Sequence, residues 1–115
     1  MAPKLTARQQ SQLSFLQTLP PRFSRIKAII EQMAGMQADE TAVRQLARML
    51  DEMKSGGQAL GIGPIAETAG LMSTLSRRGG GHQMKVRGLR ELFGSLQINY
   101  EGALRAATTP ERNEE

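Results

Sequence analysis

The sequence predicts an all-α fold, an antiparallel four-helix bundle, on three observations. Apolar residues recur three and four positions apart almost throughout, the spacing that lines one face of a helix. The alternation of apolar and polar residues that would mark a strand occurs nowhere. Glycine and proline clusters divide the periodic stretches into four with short connections, and short connections make consecutive helices antiparallel neighbours. A coiled-coil rod is the structural competitor, but the glycine-rich breaks argue against one long helix.

The first stretch carries Leu16, Leu19, Phe23, Ile26, Ile30 and Met33 on one seam. Pro20 and Pro21 fall inside it and should kink or split the helix, because proline has no N–H to donate to the preceding turn. Gly35 and the polar run from Gln37 to Thr41 end it. The second helix begins near Asp39 or Thr41, either of which can accept from the first free N–H groups. Its stripe is Val43, Leu46, Leu50, Met53, Gly57 and Leu60. Gly61-Ile62-Gly63-Pro64 then reads as a helix stop followed by a start. The third helix, from about Pro64 to Ser76, buries Ile65, Ala69 and Met72, with Ala66 and Leu75 beside them. Arg77-Arg78-Gly79-Gly80-Gly81-His82 is a loop by composition. The fourth helix has the cleanest period, through Val86, Leu89, Phe93, Leu96, Tyr100, Ala103 and Ala107. One domain over 1–108 and a polar, frayed tail over 109–115 are expected.

Composition narrows the chemistry. Of 115 residues 39% are hydrophobic, a globular share, so a folded chain is expected rather than a disordered one. No cysteine and one histidine leave a zinc site almost no ligands, and no metal or cofactor is expected. MAPKLTARQQ has no apolar run behind its basic residues, as a secretory leader would, and no apolar stretch is long enough to span a bilayer. A cytoplasmic protein without membrane attachment is the expectation.

The net charge of +4 is unevenly spread. Five basic residues and no acid precede Glu31, six acids against three bases follow as far as Glu67, and five bases without an acid lie from Arg77 to Arg90. Such blocks either face an acidic partner or are ordinary solvated helix faces.

From Leu50 the second helix reads Leu-Asp-Glu-Met-Lys-Ser-Gly-Gly-Gln-Ala-Leu-Gly. This resembles the core motif of histidine-phosphotransfer (HPt) domains, roughly His-x-Leu-Lys-Gly-Ser-x-x-x-Leu-Gly. Met53, Lys54 and the Leu60-Gly61 pair match it. Ile65-Ala66-x-x-Ala69 is similar to the family's Leu-Ala-x-x-Ala on the next helix, and Phe15 to Phe23 resembles its proline-bearing first helix. The likeness covers residues 13–76. It implies an HPt-like bundle that meets a receiver domain or a histidine kinase of a two-component pathway, with no small-molecule substrate.

Two departures decide the expected chemistry. Asp51 stands where the family has its phosphorylatable histidine, and Ser55 stands where a glycine follows the motif lysine. A neutral imidazole is a good nucleophile near neutral pH, whereas a carboxylate is weaker and shorter. Proteins that phosphorylate aspartate surround it with a metal ion and further charges. Glu52 is adjacent, but neighbouring helix residues point about 100° apart and make no shared pocket. No catalytic residue is therefore expected. Asp51 reads either as an ordinary helix residue paired with Lys54, or as a fixed charge on a docking stripe of Arg48, Asp51, Lys54, Ser55 and Gln58.

The remaining features carry less. Gly56 and Gly57 cost about 1 kcal/mol each in a helix; Gly57 suits a close helix–helix approach, and Gly56 either that or partner docking. His82, the sole histidine, reads as a solvated loop residue rather than a phosphate acceptor. The methionines read mostly as core filling, although an adaptable binding surface is the alternative. Two competing functions stay open: an active phosphotransfer protein with an unusual acceptor, and a nucleic-acid binder using Arg77, Arg78, Lys85, Arg87 and Arg90. The second lacks both a recognition motif and the aromatic platforms that single strands stack on.

Overall fold

In a computed structural model, which describes residues 4–111, the chain is all-helical and no strand occurs among the described residues. The helices are α1 (Ala7–Gln17), α2 (Leu19–Ala34), α3 (Glu40–Ala59), α4 (Gly63–Arg77) and α5 (His82–Thr108). Together α1 and α2 take the place of the expected first helix. The prolines split it: Thr18 closes α1 and opens α2, where they occupy the first turn and need no donor. The start at Ala7 is earlier than the apolar seam implies. Thr6 and Gln9 form a capping box there, each side chain bonded to the other's backbone N–H at 3.0 Å.

Of the two candidate caps for α3, Asp39 is the one used, accepting from the Ala42 N–H at 2.8 Å. Gly61 turns the chain at φ +70°, and Pro64 lies in the first turn of α4. His82 is a correction to the expected loop. It opens α5, half-buried, with its Nε2 on the carbonyl oxygen of Met33. That carbonyl lies in the last turn of α2, where it also accepts from the Met36 N–H at 3.0 Å, so the imidazole is a second partner on the closing turn of that helix.

Contacts define the packing. Gly57 of α3 lies against Ala66 of α4, and Asp51 meets Ser73 and Arg77, so these helices run in opposite directions from a three-residue turn. Between α4 and α5, Asn99 donates to Thr68 at 2.7 Å and Leu75 closes over Gly88. Phe23 of α2 meets Phe93 and Tyr100 of α5 edge to face at 6.0 and 5.2 Å. At the far end Gln9 donates to the carbonyls of Ala106 and Thr109. The molecule measures 56 × 21 × 19 Å along its principal axes, an elongated bundle.

The core is one continuous cluster from Leu16 to Ala107. The expected first seam is buried throughout, as are Leu46, Leu50, Met53, Ile65, Met72, Leu89 and Leu96. Each such side chain contributes about 2 kcal/mol by leaving water. Val43, Leu60, Leu75, Tyr100 and Ala103 are only half-buried. Core filling holds for Met33, Met53 and Met72, whereas Met36 and Met84 stand exposed. No helix of the described residues is long and apolar enough to cross a membrane.

The tail expected over 109–115 is described as far as Glu111, and 112–115 lie outside the described residues. Its first residue is held rather than frayed, because Gln9 binds the Thr109 carbonyl at 2.6 Å.

Candidate docking site on helices α3 and α4

Asp51 sits one and a half turns before the glycine pair of α3, on the side that faces α4. Its carboxylate is gripped from the neighbouring helix. Ser73 Oγ donates to Oδ1 at 2.6 Å, Arg77 Nη1 donates to the same oxygen at 3.2 Å, and Arg77 Nη2 donates to Oδ2. Arg77 also donates to Ser73 Oγ, so three side chains close a ring across the helix pair. The Arg77 guanidinium and then the Ser73 hydroxyl stabilise the charged form and lower the Asp51 pKa from 3.8 to about 2. A two-pronged guanidinium contact of this kind is directional as well as attractive.

The expected partner of Asp51 was Lys54, and this is corrected. Lys54 lays its side chain across Gly70 of α4, its Cδ only 3.2 Å from where a Cβ would lie, and makes no ion pair with Asp51. Its charge acts on Asp51 only at a distance, as the weakest of the influences that lower the pKa. The pairing goes to Arg77 because the α3–α4 turn holds its long side chain beside the carboxylate, while Lys54 is drawn over a surface that only glycine leaves open.

Of the five stripe residues, Arg48, Lys54, Ser55 and Gln58 are exposed and Asp51 is half-exposed. Arg48 and Asp51 share an open groove of about 520 Å³ with Arg44, Ala47, Ser76 and Arg77. Ser55 and Gln58 do not line that groove. Arg44 is engaged with Glu40 at 2.7 Å and Arg77 with Asp51, while Arg48 has no ion pair among the described residues. Gly56 is corrected as well: a Cβ there would run into the Phe15 ring of α1, so it serves a helix crossing and not an approaching partner. Gly57 does admit the close helix–helix approach, its absent Cβ position lying 3.1 Å from the Ala66 backbone nitrogen.

Ser73, and Arg77 as a partner of Asp51, escaped the sequence reading. The available signal was the hairpin itself. With Gly57 set against Ala66 across a short turn, counting six steps outward on each helix brings Asp51 level with Met72, whose neighbour Ser73 is the polar residue within reach. Arg77 follows Ser73 one turn later on the same face.

The five basic residues between Arg77 and Arg90 are partly consumed. Arg77 holds Asp51, Arg90 holds Glu31 at 2.9 Å, and Arg87 lies 3.8 Å from Glu91. The Arg90 contact lowers the Glu31 pKa, chiefly by hydrogen bonding. Among the described residues no group of three or more His, Cys, Asp or Glu side chains could hold a metal ion. Comparison with family models, curated proteins and solved structures found no match.

Proposed function

We propose that this chain is an HPt-like antiparallel four-helix bundle that acts as a non-catalytic signalling adaptor, binding a receiver domain or a histidine kinase through the α3–α4 face. The observation that carries the reading is the state of Asp51. It occupies the position of the motif's acceptor, yet its oxygens are engaged by Arg77 and Ser73 and its pKa is lowered to about 2. A carboxylate held this way is a poor nucleophile, and its neighbours do not provide the metal-binding carboxylates that aspartyl phosphorylation uses.

Around it the face stays accessible, with Arg48, Lys54 and Gln58 exposed. A receiver's phosphorylation site is a cluster of acidic side chains, and Arg48, the arginine of the Asp51 groove that has no ion pair among the described residues, suits such a surface. The mechanism is occupancy: the bound chain covers the receiver's phosphorylation site or holds the receiver in a complex, and no phosphate moves.

Incubation with a phosphorylated kinase and its receiver tests this directly. Co-purification with the receiver and no label on this chain is the expected result. Stable label on this chain would overturn the adaptor reading in favour of an active phosphotransfer protein. Lys54→Gln, which keeps most of the stem lying over Gly70, and Gln58→Ala should each weaken binding with melting nearly unchanged, and undiminished binding by both would place the docking face elsewhere.

A further inference from the structure

Helix α5 leaves one face unpartnered, and at its centre Ile98 is 70% exposed. Glu91, Gly94, Ile98, Gly102 and Arg105 recur on this face at helical spacing. Among the described residues nothing packs into the space above its two glycines. A Cβ at Gly94 or at Gly102 would meet nothing within 4 Å, and neither has a positive φ. Gly88 of the same helix differs, since Leu75 fills the space where its side chain would be. Two mid-helix glycines that cost about 1 kcal/mol each, with open space above them, are accounted for by something outside the chain that approaches closely.

The charges identify what approaches. Ile98 is the midpoint of the face: Gly94 and Gly102 lie equally far on either side, and so do Glu91 and Arg105. A second copy of α5 placed antiparallel across a two-fold axis at Ile98 sets Ile98 against Ile98, Gly94 against Gly102 and Glu91 against Arg105, twice over. A parallel arrangement would oppose Glu91 to Glu91 and Arg105 to Arg105. Arg105 has no ion pair among the described residues, and Glu91 reaches only the exposed Arg87 at 3.8 Å. We infer that this face is a self-complementary interface and that the protein forms an isologous dimer through α5. The main neighbours of α5 are α4, α1 and α2, and those of α3 are α4 and α2, so the Asp51 face is outside this contact.

Sedimentation equilibrium of the full chain over a range of concentrations tests the inference. The wild type should show reversible association to twice its 12.6 kDa mass. Ile98→Glu should sediment as a monomer with unchanged far-ultraviolet circular dichroism, because the position is exposed. Glu91→Arg and Arg105→Glu should each weaken association by about tenfold or more, and the double exchange should restore it. A 12.6 kDa species at every concentration overturns the inference. So does a dimer that Ile98→Glu leaves intact, or a double exchange no tighter than the single ones.

Discussion

Replacing Asp51 with asparagine removes the charge that Arg77 grips while keeping the shape of the side chain. The lowering of the pKa from 3.8 to about 2 corresponds to roughly 2.5 kcal/mol between the two protonation states. The Asp51 and Arg77 side chains are 45% and 53% exposed, so solvent screens the pair and about 1 kcal/mol of net stability is expected. The folded pKa is depressed, so the fold favours the carboxylate over the acid. The stabilisation is therefore complete above about pH 5, declines as pH falls towards 2 and is lost below it. Urea denaturation of wild type and Asp51→Asn at a series of pH values measures it, and subtracting one curve from the other isolates this group from the remaining carboxylates. The difference should be about 1 kcal/mol at pH 7 and close to zero at pH 2. A difference that is constant over this range, or absent at pH 7, would refute the ionic latch between α3 and α4.

Other perturbations probe the contacts that set the site. Gly57→Leu forces α4 away at Ala66 and should cost about 2–3 kcal/mol in chemical denaturation. Gln9→Ala removes two bonds to the carbonyls at the end of α5 and half of the α1 capping box. It should destabilise the fold by about 1–2 kcal/mol and raise amide exchange in the last turn of α5. His82→Ala removes one of the two partners of the Met33 carbonyl, which keeps the Met36 N–H, and should lower stability by about 0.5–1 kcal/mol, with no change in the absence of phosphate label.

Helix identity was legible in the sequence because burial on one face is a local pattern. The run from Leu16 to Met33 needs no partner to be read, and it is buried as expected. Helix ends were less legible where the cap is polar and short. The capping box of Thr6 and Gln9 precedes any apolar signal, and α5 reached back to His82 because a contact with Met33 on another helix rewards it. Long-range polar contacts were not legible at all. Gln9 is buried against carbonyls 97 and 100 residues away, and nothing near it in the chain announces this. Asp51 illustrates the same limit. A local rule pairs it with the lysine one turn on, but tertiary packing supplies an arginine in better geometry and moves the lysine over a glycine. The sequence thus singled out Asp51, and only the hairpin register fixed its electrostatics.

Asp51→His asks whether the nucleophile alone is missing. The position is half-exposed, so an imidazole there reaches solvent beyond the Ser73 hydroxyl. Arg77, released from its carboxylate, places a positive charge beside the ring and disfavours the imidazolium, which keeps the ring nitrogen neutral and nucleophilic near pH 7. Ser55 is exposed one turn away, and Gly56 is already covered by Phe15, so a receiver meets more bulk than the motif's glycine would present. A single hydroxymethyl group on an exposed helix face can rotate aside, so it should slow transfer rather than abolish it. Incubated with a phosphorylated receiver that binds the wild type, the variant should acquire acid-labile, alkali-stable label, while the wild type acquires none. Binding without label would mean that the geometry around position 51, and not only the side chain there, is unsuited to phosphotransfer.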